Sequence, residues 1–166
     1  HDITVEDDVS VLMELANGAT ASFITSTGDT PGTNRLEIAA EHGKLVLENG
    51  RLTFFKTQDS VQRIIKESEV GFYSASPEVI EVQVEAKPHG HKWLTQNTIN
   101  AILGKEPLIS PGTEGLKSVQ LANAMLLSGI RGRAVEVPVC EDEFDQLLEE
   151  LREDERRNAP DKVFDW

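Results

Sequence analysis

The sequence is poor in cysteine, in positive charge and in long apolar runs, and each shortage excludes a class of protein. Cys140 is the single cysteine among 166 residues, which excludes a disulfide framework and a multi-cysteine zinc site. With 16 basic residues against 29 acidic ones, the net charge of −13 disfavours nucleic acid and anionic lipid surfaces as partners. No apolar run approaches the roughly 20 residues that a membrane span needs. Because the N-terminus also lacks a basic and apolar leader, we expect a soluble, cytoplasmic protein.

The acidic excess is concentrated at the C-terminal end of the sequence. Residues 141–166 contain 11 acidic and 4 basic side chains. Phe144, Leu147, Leu148 and Leu151 recur there at helical spacing, which predicts an acidic amphipathic helix followed by a tail. A solvated helix face accounts for this charge, and a partner-binding acidic tail is the alternative.

Alternation of apolar and polar residues dominates the first half of the chain and is typical of strands. Turn residues separate these segments, among them Asn17-Gly18, Gly43 and Gly50. One face of the resulting sheet should be apolar and the other mixed. The predicted strands are residues 9–15, 19–26, 35–40, 44–47, 51–56, 61–67 and 79–87.

Helical periodicity replaces alternation in the second half of the chain. It predicts a helix over 91–103, a second helix that begins at Thr113 as N-cap and ends at Gly129 or Gly132, and the acidic third helix. Residues 134–139 are predicted as a short edge strand. Strands followed by helices predict the α+β class: an open-faced, largely antiparallel (mixed) β-sheet with helices packed on one face.

Motifs of nucleotide-binding and hydrolytic enzymes are missing from the sequence. It contains no Gly-x-Gly-x-x-Gly, no Walker loop and no nucleophile elbow. Two imidazoles in His89-Gly90-His91 could chelate a metal only if a third ligand converges, and we favour the alternative that His91 is an exposed residue of a first helical turn. Cys140 is interpreted as a thiol without a catalytic role, and Asp7 and Asp8 should point to opposite faces of a strand.

Four segments in order resemble one enzyme family. Residues 6–19, EDDVSVLMELANGA, look like the acidic strand and F-x-N-G-A hairpin that open the sheet in the C-terminal domain of Gfo/Idh/MocA-type oxidoreductases. Residues 34–45, NRLEIAAEHGKL, are similar to the family's next hairpin, with Ala40 where glycine is commoner. Residues 97–107, NTINAILGKEP, resemble its helix with the pattern N-x-I-x-A-I, and residues 128–138, SGIRGRAVEVP, resemble its S-x-x-x-G-x-x-V-x-x-P ending.

The resemblance implies a division of the protein into domains. Residues 1–139 would form the C-terminal sheet domain, with a truncated start, and residues 140–166 its acidic helix and tail. The family's members are NAD(P)-dependent enzymes that oxidise or reduce sugars, cyclitols and related polyols, with a Rossmann domain in front of this sheet domain. We therefore expect no Rossmann domain and no catalytic, cofactor-binding or metal-binding residue in this chain, and NAD or NADP as the cofactor of the full-length parent.

The resemblance also implies a substrate contact and an assembly. Thr33, Asn34 and Arg35 match a position from which some relatives reach a small sugar or polyol, and Arg35 could bind a carboxylate or hydroxyl groups. A surface arginine that opens a strand is the alternative. In the family the open sheet face pairs with another subunit, so we expect a homo-oligomer. The competing functions are a free-standing binding or assembly module without activity and a metal-dependent hydrolase built on His89 and His91.

Overall fold

Six strands and four helices occur among the residues that this computed structural model describes, which are 5–73, 76–84 and 90–158. Every described strand pair is antiparallel, which confirms the predicted α+β class with a largely antiparallel arrangement. The strands are β1 (Asp8–Glu14), β2 (Thr20–Ser26), β3 (Arg35–Ala40), β4 (Gly43–Glu48), β5 (Arg51–Lys56) and β6 (Glu78–Val82). The helices are α1 (Val61–Glu67), α2 (His91–Ile102), α3 (Gly112–Arg131) and α4 (Glu141–Asn158).

The chain divides into two compact units, residues 1–87 and residues 88–166. The first unit contains all six strands and α1, and the second contains the remaining helices. The strands form two sheets, a β1–β2 hairpin and a four-stranded sheet in the order β3-β4-β5-β6. The last residues of the predicted strand 79–87 lie outside the described residues.

The β1–β2 hairpin confirms the predicted turn at Asn17-Gly18. Gly18 has a φ of +83°, and the Asn17 side-chain oxygen accepts a hydrogen bond of 3.0 Å from the Ala19 N–H. Such a side-chain bond to the backbone two residues on stabilises a turn locally. Val9 and Val11 are half-buried along β1 while Ser10 between them is exposed, as alternation requires.

Gly43 allows β4 to approach β5 more closely than any other residue could. Its φ is +127°, and a Cβ built at this position would lie 2.0 Å from the carbonyl oxygen of Phe55. Gly50 is required for its backbone conformation instead. Together with Asn49 it provides the two positive φ angles of a two-residue hairpin turn, and a Cβ built at Gly50 would have no neighbouring atom within 4 Å. The two turns therefore require glycine for different reasons.

Residues 61–67 form the helix α1, so the predicted strand there is wrong. The Ser60 side-chain oxygen accepts from the Arg63 N–H at 3.1 Å and caps the helix. The Arg63 guanidinium then pairs with Asp59 at 3.1 Å and with Glu67 at 2.8 Å, each one helical turn away. Local capping and charge pairing at helical spacing outweigh the β-branched residues that favoured a strand.

The core of the second unit includes buried leucines on α3 and α4. Leu127 and Leu147 are 0% and 1% exposed, and each such burial contributes roughly 2 kcal/mol. Arg131 donates to Glu150 at 2.7 Å from one helix to the other. The three predicted helices of this unit are thus confirmed, with boundaries within a few residues of those expected.

Two details predicted for α3 and the segment after it are wrong, and one is confirmed. Pro111 rather than Thr113 is the N-cap, because the Pro111 carbonyl already accepts from the Glu114 N–H at 2.9 Å. Gly132 ends α3 in the left-handed conformation, at one of the two expected positions. Residues 134–139 form no strand, and they pair with none of the described strands.

Asn97 fixes the loop that follows α2. Its side chain is 3% exposed, donates to the Pro107 carbonyl at 3.0 Å and accepts from the Ile109 N–H at 3.0 Å. The two bonds satisfy both ends of the amide and both backbone groups. The asparagine of the N-x-I-x-A-I motif is therefore used to hold the chain between α2 and α3.

We expect Gly43→Ala to destabilise the protein by about 3 kcal/mol, because the new Cβ must displace the Phe55 carbonyl and the positive φ is strained. The matched variant Gly50→Ala adds only the strain, about 1 kcal/mol. Urea unfolding measures both. Equal losses in the two variants would show that close approach at Gly43 does not control the sheet.

Asn97→Ala should lower the free energy of unfolding by about 2 kcal/mol, since it leaves a carbonyl and an N–H without their partner. Asn100→Ala serves as control, because the Asn100 side chain bonds exposed side chains, donating to the Glu106 carboxylate and accepting from the Gln96 amide, and we expect about 0.5 kcal/mol or less. Denaturant unfolding of the two variants decides between an anchoring asparagine and an ordinary helical surface residue.

Candidate functional site

The register of the four-stranded sheet places apolar side chains in two continuous rows on one face. Directly opposed residues of antiparallel strands lie on the same face, so each row can be followed from β3 through β4 and β5 to β6. We call these eight residues the apolar face. They are Leu36, Leu47, Leu52 and Val82 in one row, and Ile38, Leu45, Phe54 and Ile80 in the other.

The apolar face is accessible to a partner along its β3 edge. Leu36, Ile38 and Leu47 are 55%, 50% and 43% exposed, and the other five members are partly exposed. Monomeric soluble proteins rarely keep a contiguous apolar surface of this kind uncovered. The arrangement confirms the expectation that one sheet face is apolar and the other mixed.

The opposite face of the same sheet carries an ion-pair network, which we call the charged face cluster. Arg35 donates to Glu37 at 2.7 Å and to Glu48 at 2.9 Å, and Lys44 donates to Glu37 at 2.9 Å. The Lys44 ammonium also lies 5.6 Å from the ring centre of Phe55, its cross-strand neighbour. Four charged side chains from two strands thus form one connected cluster.

Mutual hydrogen bonds shift the ionisation of the charged face cluster. Bonds from Arg35 and then from Lys44 hold the pKa of the Glu37 carboxyl below its ordinary value of 4.5. The same bond to Glu37, with Glu48 beside it, raises the pKa of the Arg35 guanidinium further. Both effects favour the charged forms of Arg35 and Glu37.

The structure separates the three predicted substrate-contact residues into two settings. Thr33 and Asn34 are exposed in the loop before β3, whereas Arg35 is the first residue of that strand and belongs to the charged face cluster. Arg35 was predicted from the sequence, but its two carboxylate partners were not. Glu37 could have been found from the two-residue spacing that places it beside Arg35 on one face, and Glu48 from the hairpin centred on the turn before Gly43.

A small open cavity lies beside α1 in the first unit. It has a volume of about 440 Å³, and its walls include Ile64, Val70 and Tyr73. Two hydroxyl groups on its walls bond the chain itself: Thr57 donates to the Asp59 carbonyl at 2.9 Å, and Ser68 donates to the Val70 carbonyl at 3.1 Å. The cavity therefore offers mainly apolar contact.

Metal and membrane sites can be assessed only for the described residues. Within 5–73, 76–84 and 90–158, no three histidine, cysteine, aspartate or glutamate side chains converge as metal ligands would. His91 is exposed at the start of α2, while His89 lies outside these ranges, so the predicted pair is not tested. In the same part of the chain, none of the helices combines the length and apolar content that crossing a bilayer requires.

Neither models of known protein families nor curated proteins match this chain. The resemblance to the Gfo/Idh/MocA family therefore stays a prediction that rests on the four sequence segments.

The surfaces that the geometry itself supplies are the apolar face and the charged face cluster. They lie on opposite sides of one sheet, so each can act without obstructing the other.

The Glu37 carboxylate should stabilise the protein at neutral pH and lose this effect in acid. A carboxyl whose pKa is lowered on folding contributes stability above its ordinary pKa, and the contribution disappears as the pH falls through the lowered value. We expect Glu37→Gln to lower the melting temperature at pH 7, with the difference from wild type shrinking below pH 4.5.

Glu81→Gln is the matched control for this prediction. Glu81 lies in the same cross-strand row as Glu37, on β6, and forms no ion pair within the described part of the chain. Melting curves of the three proteins across this pH range would contradict the assignment if the two variants differed from wild type equally.

Proposed function

We propose that this chain is the C-terminal substrate-binding and oligomerisation domain of an NAD(P)-dependent sugar or polyol oxidoreductase of the Gfo/Idh/MocA type. The observation that carries the proposal is the apolar face, which is continuous across four strands and open to a partner. Residues of the resembling segments also have defined structural tasks: Gly18 and Gly43 in turns, Asn97 in the loop anchor and Gly132 at the end of α3.

The occupant proposed for the apolar face is a second copy of the same face. Sheet faces pack on each other through interdigitating apolar rows, and a two-fold contact brings identical patches together. A net charge of −13 opposes association of two copies, but the apolar face contains no charged residue, so the contact can form with the acidic side chains outside it.

The substrate part of the proposal depends on Arg35 and the loop before it. Two of the Arg35 hydrogen bonds go to Glu37 and Glu48, which leaves other guanidinium N–H groups for a ligand. These two carboxylates repel an incoming anion and favour a neutral ligand. Of the two ligand groups expected for Arg35, the geometry therefore favours the hydroxyls of a sugar or polyol over a carboxylate.

The proposed division of labour assigns the chemistry to a domain outside this chain. A Rossmann domain would bind NAD or NADP and position hydride transfer, while the sheet unit supplies substrate contacts and the subunit interface. Such an enzyme would act in the cytoplasm, where we expect its nicotinamide cofactor. The alternative is a free-standing assembly module, which the same apolar face would serve without any substrate contact at Arg35.

We expect light scattering to give a mass of twice the 18.3 kDa of the chain over a wide concentration range. Ile38→Asp should weaken the dimer roughly 100-fold, because each copy then buries an unpaired carboxylate in the interface. Ala39→Asp is the matched control, since it places the same charge one residue along β3 on the opposite face.

Two results would contradict the assembly proposal. A wild-type monomer at all concentrations would show that the apolar face is not a self-association surface. If the wild-type protein were monomeric and Ile38→Asp sharply lowered the melting temperature, the face would belong to packing within one chain. Circular dichroism of both variants ensures that a loss of dimer is not a loss of fold.

The substrate proposal predicts that a neutral polyol such as inositol shifts the backbone amide resonances of Thr33, Asn34 and Arg35 in a nuclear magnetic resonance titration. Arg35→Met should abolish these shifts, whereas Arg51→Met, in the same cross-strand row, should retain them. Shifts that persist in Arg35→Met would remove Arg35 from the site. Saturable binding of NADH or NADPH by this chain, measured by calorimetry, would overturn the proposed division of labour.

A further inference from the structure

We draw no further inference here: the strongest candidate, the open apolar cavity beside α1 with walls that include Ile64, Val70 and Tyr73, carries no proposal because the Thr57 and Ser68 hydroxyls on its walls bond the chain's own backbone and nothing in the structure shows what covers it.

Discussion

The cross-strand register of the four-stranded sheet is the constraint on which both candidate surfaces depend. Because successive side chains point to opposite faces, a slip of one residue between β3 and β4 would mix the apolar face with the charged face cluster. Gly43 lies against the Phe55 carbonyl and restricts the alignment of β4 on β5, while the Arg35–Glu48 pair joins β3 to β4. A backbone contact and a charge pair thus each support the register of one neighbouring strand pair.

Much of the fold could be predicted from periodicity and turn residues alone. The Asn17-Gly18 hairpin and the helices of the second unit follow from local patterns that the tertiary structure does not override. The strand predicted over residues 61–67 was wrong because β-branched residues were weighed above a serine cap and an arginine with acidic partners on both sides. The edge strand over 134–139 was wrong for another reason: a strand needs a neighbour, and one segment's sequence cannot supply it.

The candidate site was less predictable than the fold, since it depends on contacts between strands. Arg35 could be selected from its place in a motif, but its hydrogen bonds to Glu37 and Glu48 depend on the folded and paired strands. The role of Asn97 as the anchor of the loop after α2 could not be predicted from the sequence for the same reason. Its partners lie 10 and 12 residues further along, where only the folded loop brings them together.

The two faces are compatible with both parts of the proposed function, assembly and substrate contact. Association requires an uncharged surface, because unpaired charges are costly to bury, whereas a polyol site requires hydrogen-bond donors held in place. Alternation within single strands meets both needs: Leu36 and Ile38 face one side of β3 while Arg35 and Glu37 face the other. Since both sets are presented by the same backbone, the proposed association through one face of β3 would also order the residues of the proposed substrate contact on the other face.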